Sequence, residues 1–102
     1  MQQAVITAPK GLSDEAFVET MITLGGKKRS NSEFTFVKEN DFFTVFLDDS
    51  DDGRYIVVEC PSGTSIEFMR PFLAAVLSET KGTVEIDDVG VFDFDDLENN
   101  RL

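Results

Sequence analysis

The run Asp48-Asp49-Ser50-Asp51-Asp52-Gly53-Arg54-Tyr55-Ile56-Val57-Val58-Glu59 spaces its side-chain oxygens as a cation site would. Counted as a twelve-position calcium loop, it places Asp48, Ser50 and Asp52 at positions one, three and five, Gly53 at six and Glu59 at twelve. Alternate oxygens can wrap a hard cation while the glycine permits the sharp turn. Two features oppose a preformed cage. Position eight, aliphatic in such loops, is Tyr55, and the flanks read as strands where an EF-hand has helices. The competing reading is a hairpin in which Asp52-Gly53 supplies positive φ. The expectation is a hairpin whose Asp48, Ser50, Asp52 and Glu59 bind a cation only weakly.

Other chemistry is sparse. Histidine is absent, which removes the commonest general base and metal ligand. Cys60 is the single cysteine, so the chain forms no internal disulfide and no cysteine metal cluster. Its neighbours Val58, Glu59 and Pro61 offer no activating base, and an inert thiol is expected. Gly25-Gly26-Lys27-Lys28 lacks the spacing of a phosphate loop. No catalytic residue, enzyme activity or cofactor is implied.

Charge is the second signal. The 102 residues carry 20 acidic and 9 basic side chains, a net charge of −11. Such a field repels phosphate backbones and anionic lipid and attracts basic surfaces, so direct nucleic-acid or membrane binding is disfavoured. Thirteen of the 20 acids fall in two stretches without a basic residue, Glu39–Asp52 and Glu85–Glu98. Asp48, Asp49, Asp51, Asp52, Asp87, Asp88, Asp93, Asp95 and Asp96 are the partner-binding residues this pattern nominates. If Val91-Phe92-Asp93-Phe94-Asp95 is a strand, Phe92 and Phe94 face inward and Asp93 and Asp95 outward. A row of carboxylates on a rigid apolar base could imitate a nucleic-acid backbone. The expected function is a small non-enzymatic binder, an inhibitor or DNA mimic that occupies the basic surface of a nucleic-acid-handling protein. The alternatives are a structural or assembly protein whose charge only solubilises it, and a weak cation-binding module at Asp48–Glu59.

These residues must be positioned by a small fold. With 41% hydrophobic residues, ten of the 102 being Phe, a core is feasible and disorder is not expected. Residues 1–102 are read as one domain, with 95–102 as a frayed acidic tail. The start, Met1-Gln2-Gln3-Ala4-Val5, is not a secretory signal, and Phe72–Leu77, the longest apolar stretch, is too short to cross a bilayer. A cytoplasmic location is the expectation.

Ala4–Ala8 reads as a strand. A helix should follow, capped by Ser13, with Asp14 and Glu15 in its first turn, and stopped by Gly25-Gly26. Lys27–Ser32 reads as a linker holding a third of the basic charge. Residues 33 to 60 then predict an antiparallel three-stranded meander. The second helix starts either at a Thr64/Glu67 capping box, with Pro71 inside, or at Pro71 itself; Gly82 ends it. Thr83–Ile86 and Val91–Phe94 complete an α+β fold, order β-α-β-β-β-α-β(-β), with an antiparallel sheet and two helices on one face.

Overall fold

In the middle of the chain β-branched and aromatic residues alternate with polar ones, a pattern that suits a half-covered antiparallel ladder. The computed structural model describes residues 2–8, 12–39, 41–61, 66–87 and 89–99, with backbone alone at 2, 66 and 67. The elements are β1 (Gln2–Thr7), α1 (Asp14–Thr23), β2 (Lys27–Ser30), β3 (Glu33–Lys38), β4 (Asp41–Ser50), β5 (Gly53–Cys60), α2 (Ile66–Thr80), β6 (Val84–Ile86), β7 (Gly90–Phe92) and α3 (Phe94–Glu98). They form a seven-stranded sheet of order β2-β3-β4-β5-β1-β6-β7, and each recorded pairing is antiparallel. The class is α+β, and the meander over 33–60 is present as β3-β4-β5. β1 lies between β5 and β6, and an additional edge strand, β2, makes the sheet wider than expected.

Three parts of the expected order need correction. Lys27–Ser30 is not linker but β2, an edge strand with all four residues exposed. Gly25, at φ 93, turns the chain there, and β2 pairs Lys27 with Thr35 and Lys28 with Phe34. Charged side chains at an exposed edge give no alternating apolar signal. The last strand stops at Phe92, and 94–98 form a third helix. Asp93 caps it, accepting from Asp96 N–H at 2.9 Å, while the Asp96 carboxylate accepts from Asp93 N–H at 3.0 Å. Residues 95–98, expected as a frayed tail, are therefore helical, and Leu97 is buried.

The local signals of α1 hold. Ser13 Oγ accepts from Ala16 N–H at 3.1 Å, and Asp14 and Glu15 sit at the positive end of the helix dipole. α2 takes the earlier of its two starts, with Pro71 inside. The anticipated cap at Thr64 and the side chain of Glu67 lie outside the described residues. One lost backbone hydrogen bond at exposed Pro71 is offset by the burial of Met69, Phe72, Leu73, Val76 and Leu77. Beyond the helix the left-handed residue is Lys81, at φ 60, one position before the expected Gly82.

All three helices cover one face of the sheet. Ala4, Ile6, Phe34, Phe36, Phe43, Val45, Ile56, Val58 and Ile86 alternate along their strands, and register brings them side by side. Phe17 of α1 meets Phe34 edge-on with centroids 5.8 Å apart. Phe36 stacks on Phe43 at 5.1 Å, and Phe72 of α2 lies against both at 4.8 and 5.2 Å. Phe68 closes the cluster against Phe43. A Cβ at Gly26 would stand 2.7 Å from Cζ of Phe36 and 3.2 Å from the Met21 carbonyl oxygen. Phe36 is clamped by its two aromatic neighbours and has little room to retreat. Gly26→Ala should therefore cost about 1–3 kcal/mol, an overpacking penalty. Urea denaturation checks this: an unchanged midpoint would mean that the ring gives way freely.

Candidate functional site: the open face of the sheet and its acidic hairpin

The alternation that sends the core residues under the helices sends their neighbours to a face that no described helix covers. Across it, Val5 pairs with Val57 and Val57 with Phe46, giving an apolar row of half-buried side chains. Glu85 lies beside Val5 at one end of this row, and Glu33 beside Phe46 at the other. Glu59 stands in the next row, bonded by Gln3 Nε2 at 3.1 Å, and Asp48 pairs with Tyr55 above. Four carboxylates thus frame the apolar row. Toward β2 the sign reverses: Arg29 Nε donates to Thr35 Oγ1 at 3.3 Å, covering a threonine that is only 8% exposed. Phe42 and Val37, 45% and 55% exposed, pair at the lower corner.

The hairpin between β4 and β5 is built from acids with different fates. Its loop is Asp51-Asp52, and Ser50 pairs with Gly53, whose φ is 150. The turn thus sits one residue earlier than Asp52-Gly53 would place it. Asp49 lies on the helix side, where Arg54 grips both its oxygens at 2.6 and 3.1 Å. The same guanidinium reaches Asp14 at 2.9 Å and the Leu12 carbonyl at 2.8 Å, tying the hairpin to the start of α1. The hydrogen bond from Arg54, then its charge, holds the Asp49 carboxyl below the usual carboxylate range. Hydrogen bonds from Ser50 and Tyr55 do the same for Asp52, and the bond to Asp52 raises the Tyr55 hydroxyl. Asp48 and Asp51 are exposed, with no recorded ion pair among the described residues.

The nominated acids do not form one row. Asp48, Asp49, Asp51 and Asp52 crowd the hairpin tip. Asp87 sits at the opposite end of the sheet, where its N–H bonds Gln3 O, about 20 Å down the strands. Asp93, Asp95 and Asp96 return to the hairpin's end of the sheet but lie three strands across, roughly 14 Å. Asp93 and Asp96 are engaged in the α3 cap, and Asp93 and Asp95 do not alternate along a strand. Asp88 is outside the described residues. Sequence reasoning missed Glu33 and Glu85, together with Val5, Phe46 and Val57, and nominated Glu59 only as a cation ligand. The period-two pattern carried that information, but only register shows that they share a face.

The cation ligands separate in the same way. Asp48 pairs with Tyr55, whereas Glu59 pairs with Thr44, about 13 Å further along the strands. Glu59 therefore cannot close a cage around Ser50 and Asp52, and no cluster of three or more metal-type ligands occurs among the described residues. Cys60 is fully buried, and desolvation, then the charge of Asp41, pushes its thiol up to about 11. No described helix is long and apolar enough to cross a membrane. No family model, curated protein or solved structure matches the chain.

Calcium affinity at the hairpin is expected at roughly 10⁻⁴ to 10⁻³ M or weaker. Calorimetric titration should find it unchanged by Glu59→Gln; a micromolar site abolished by that change would restore the loop reading. A second expectation concerns pH. Because the folded Asp49 value lies below the unfolded one, its contribution is complete above about pH 4 and is lost as pH falls through the lowered value. Arg54→Gln should therefore melt below wild type at neutral pH, and the gap should narrow on acidification. Thermal unfolding from pH 7 to 2 decides the matter, and a constant gap would assign the effect to packing instead.

Proposed function

We propose that this chain is a non-enzymatic binding protein that presents its open sheet face to a basic surface on a partner protein. The reading rests on one observation: a sheet face with an apolar row, Val5–Val57–Phe46, which no described helix covers, lies within a frame of Glu33, Asp48, Glu59 and Glu85. Apolar surface rimmed by charge suits protein association. A net charge of −11 selects a cationic partner and accelerates the encounter. A nucleic-acid-handling protein carries a surface of that kind, and the chain would then act as a stoichiometric competitor of the nucleic acid. The hairpin acids Asp48 and Asp51 extend the acidic field beyond the sheet. The proposal assigns no catalytic residue and needs no cofactor, in keeping with the absence of histidine and the raised Cys60 thiol.

Two copies pressed face to face would oppose their own carboxylates, which favours a foreign partner over self-association. The test is capture with the intact chain as bait, followed by titration of the purified partner between 50 and 500 mM NaCl. Affinity should fall steeply with salt, and DNA should displace the chain from its partner. Glu59→Gln combined with Glu85→Gln should weaken binding roughly three- to tenfold without lowering the melting temperature, because the amide at position 59 still accepts from Gln3 Nε2 and Glu85 is exposed. Binding indifferent to salt and to both substitutions would leave the charge as a solubility feature and refute the proposal.

A further inference from the structure

Among the described residues β2 is bonded on one side only, to β3, and its outer backbone N–H and C=O groups lie at the edge of the sheet. Beside it runs a groove of about 550 Å³ between the strand and α1. Val18 and Ile22 form an apolar stripe of the groove at helical spacing, and Ile22 is 55% exposed. Glu15 and Glu19 stand on the helix wall and Lys28 on the strand wall. An open strand edge and an apolar groove beside it are the two requirements for adding an extended peptide to a sheet. The ladder supplies affinity, and alternate side chains enter the groove.

The charges decide which strand fits. Antiparallel pairing of β2 with a second copy of itself would set Lys27, Lys28 and Arg29 against the same three cations, which is unfavourable. The register shift between Lys28 and Ser30 further disturbs a flat self-pairing. An incoming strand meets a different sign on each side. On the groove side the helix wall sets Glu15 and Glu19 around an apolar stripe, against the single cation Lys28 on the strand wall; on the open-face side it faces Lys27, paired with Thr35, and Arg29, bonded to Thr35.

We propose that the β2 edge and the α1 groove form a strand-addition site for an extended peptide segment of a partner protein. The segment carries a large aliphatic residue, flanked two positions away by Lys or Arg, toward the groove, and acidic residues toward Lys27 and Arg29. Of the four carboxylates of the open face only Glu33, paired with Ser30 of β2, adjoins this site; Asp48, Glu59 and Glu85 lie on strands farther across the sheet, and the site does not depend on their role.

The experiment is an amide NMR titration of the full chain with the capped peptide Ser-Lys-Glu-Ile-Glu-Lys-Ser. Shifts should be confined to residues 15–22 and 27–30, with new protection from hydrogen exchange in β2. The same peptide, N-methylated on the edge that would bond β2, should bind at least tenfold more weakly. So should a peptide with Lys and Glu interchanged. Ile22→Lys, at a half-exposed position, should abolish the shifts while leaving the rest of the spectrum unchanged. Glu59→Gln with Glu85→Gln should leave peptide affinity intact, so failure here and failure of the open-face reading are separable. Equal affinity for the N-methylated peptide, shifts centred on the open face, or no binding at millimolar peptide would overturn the proposal. A dimer seen by sedimentation with β2 protected in the absence of peptide would also overturn it, naming a second copy as the occupant.

Discussion

Phe36 and Phe43 stack across the β3–β4 ladder, and Phe72 of α2 lies over both. This contact holds two things at once: the register of the two strands and the seat of the helix above them. A slip of one residue would turn Val37 and Phe42 toward the core and expel the stacked pair. From β4 the register passes to β5 through Val45–Val58, and from β5 to β1 through Val58–Ala4. The composition of the open face is therefore a by-product of how the phenylalanines pack beneath it. Glu33, Asp48, Glu59 and Glu85 share that face because their neighbours in sequence are committed to the core.

Charge is managed locally within a strongly negative molecule. Arg54, 27% exposed, meets two carboxylates, and Arg29 is laid across the sheet onto Thr35. Asp93 and Asp96 serve the backbone of α3. Several acids are thereby fixed for structural reasons. Of the acids nominated from the sequence, Asp48 and Asp51 at the hairpin, Asp87 at the far end of the sheet and Asp95 on α3 remain exposed, so they form no continuous row.

Much of the fold was legible in the chain. Ser13 with Asp14 and Glu15 marked the start of α1, and the alternation through 33–60 marked the meander. Two elements were hidden for opposite reasons. β2 reads as a linker because Lys27, Lys28 and Arg29 protect an edge and pack nothing. α3 reads as strand because Phe92 and Phe94 are two apart, although Asp93 and Asp96 already spelled a capping box. The acidic hairpin was visible as a hairpin, but Asp49's bond to Arg54 depends on which side of the ladder each residue takes. The position of β1 between β5 and β6 was not legible, because strand order arises from contacts distant in sequence. For the same reason the frame of four carboxylates emerged only with the register.

Arg54 joins three segments that are far apart in the chain. Its guanidinium holds Asp49 in its own hairpin, Asp14 in the first turn of α1, and the carbonyl of Leu12 just before that helix. Groups sharing one partner do not contribute independently. Losing Asp14 leaves Arg54 still anchored by Asp49, whereas losing Arg54 strands both carboxylates together in an already negative field. Positions 14, 49 and 54 thus act as one unit: either acid can change while the arginine still holds the other, whereas changing the arginine releases both carboxylates and the Leu12 carbonyl at once.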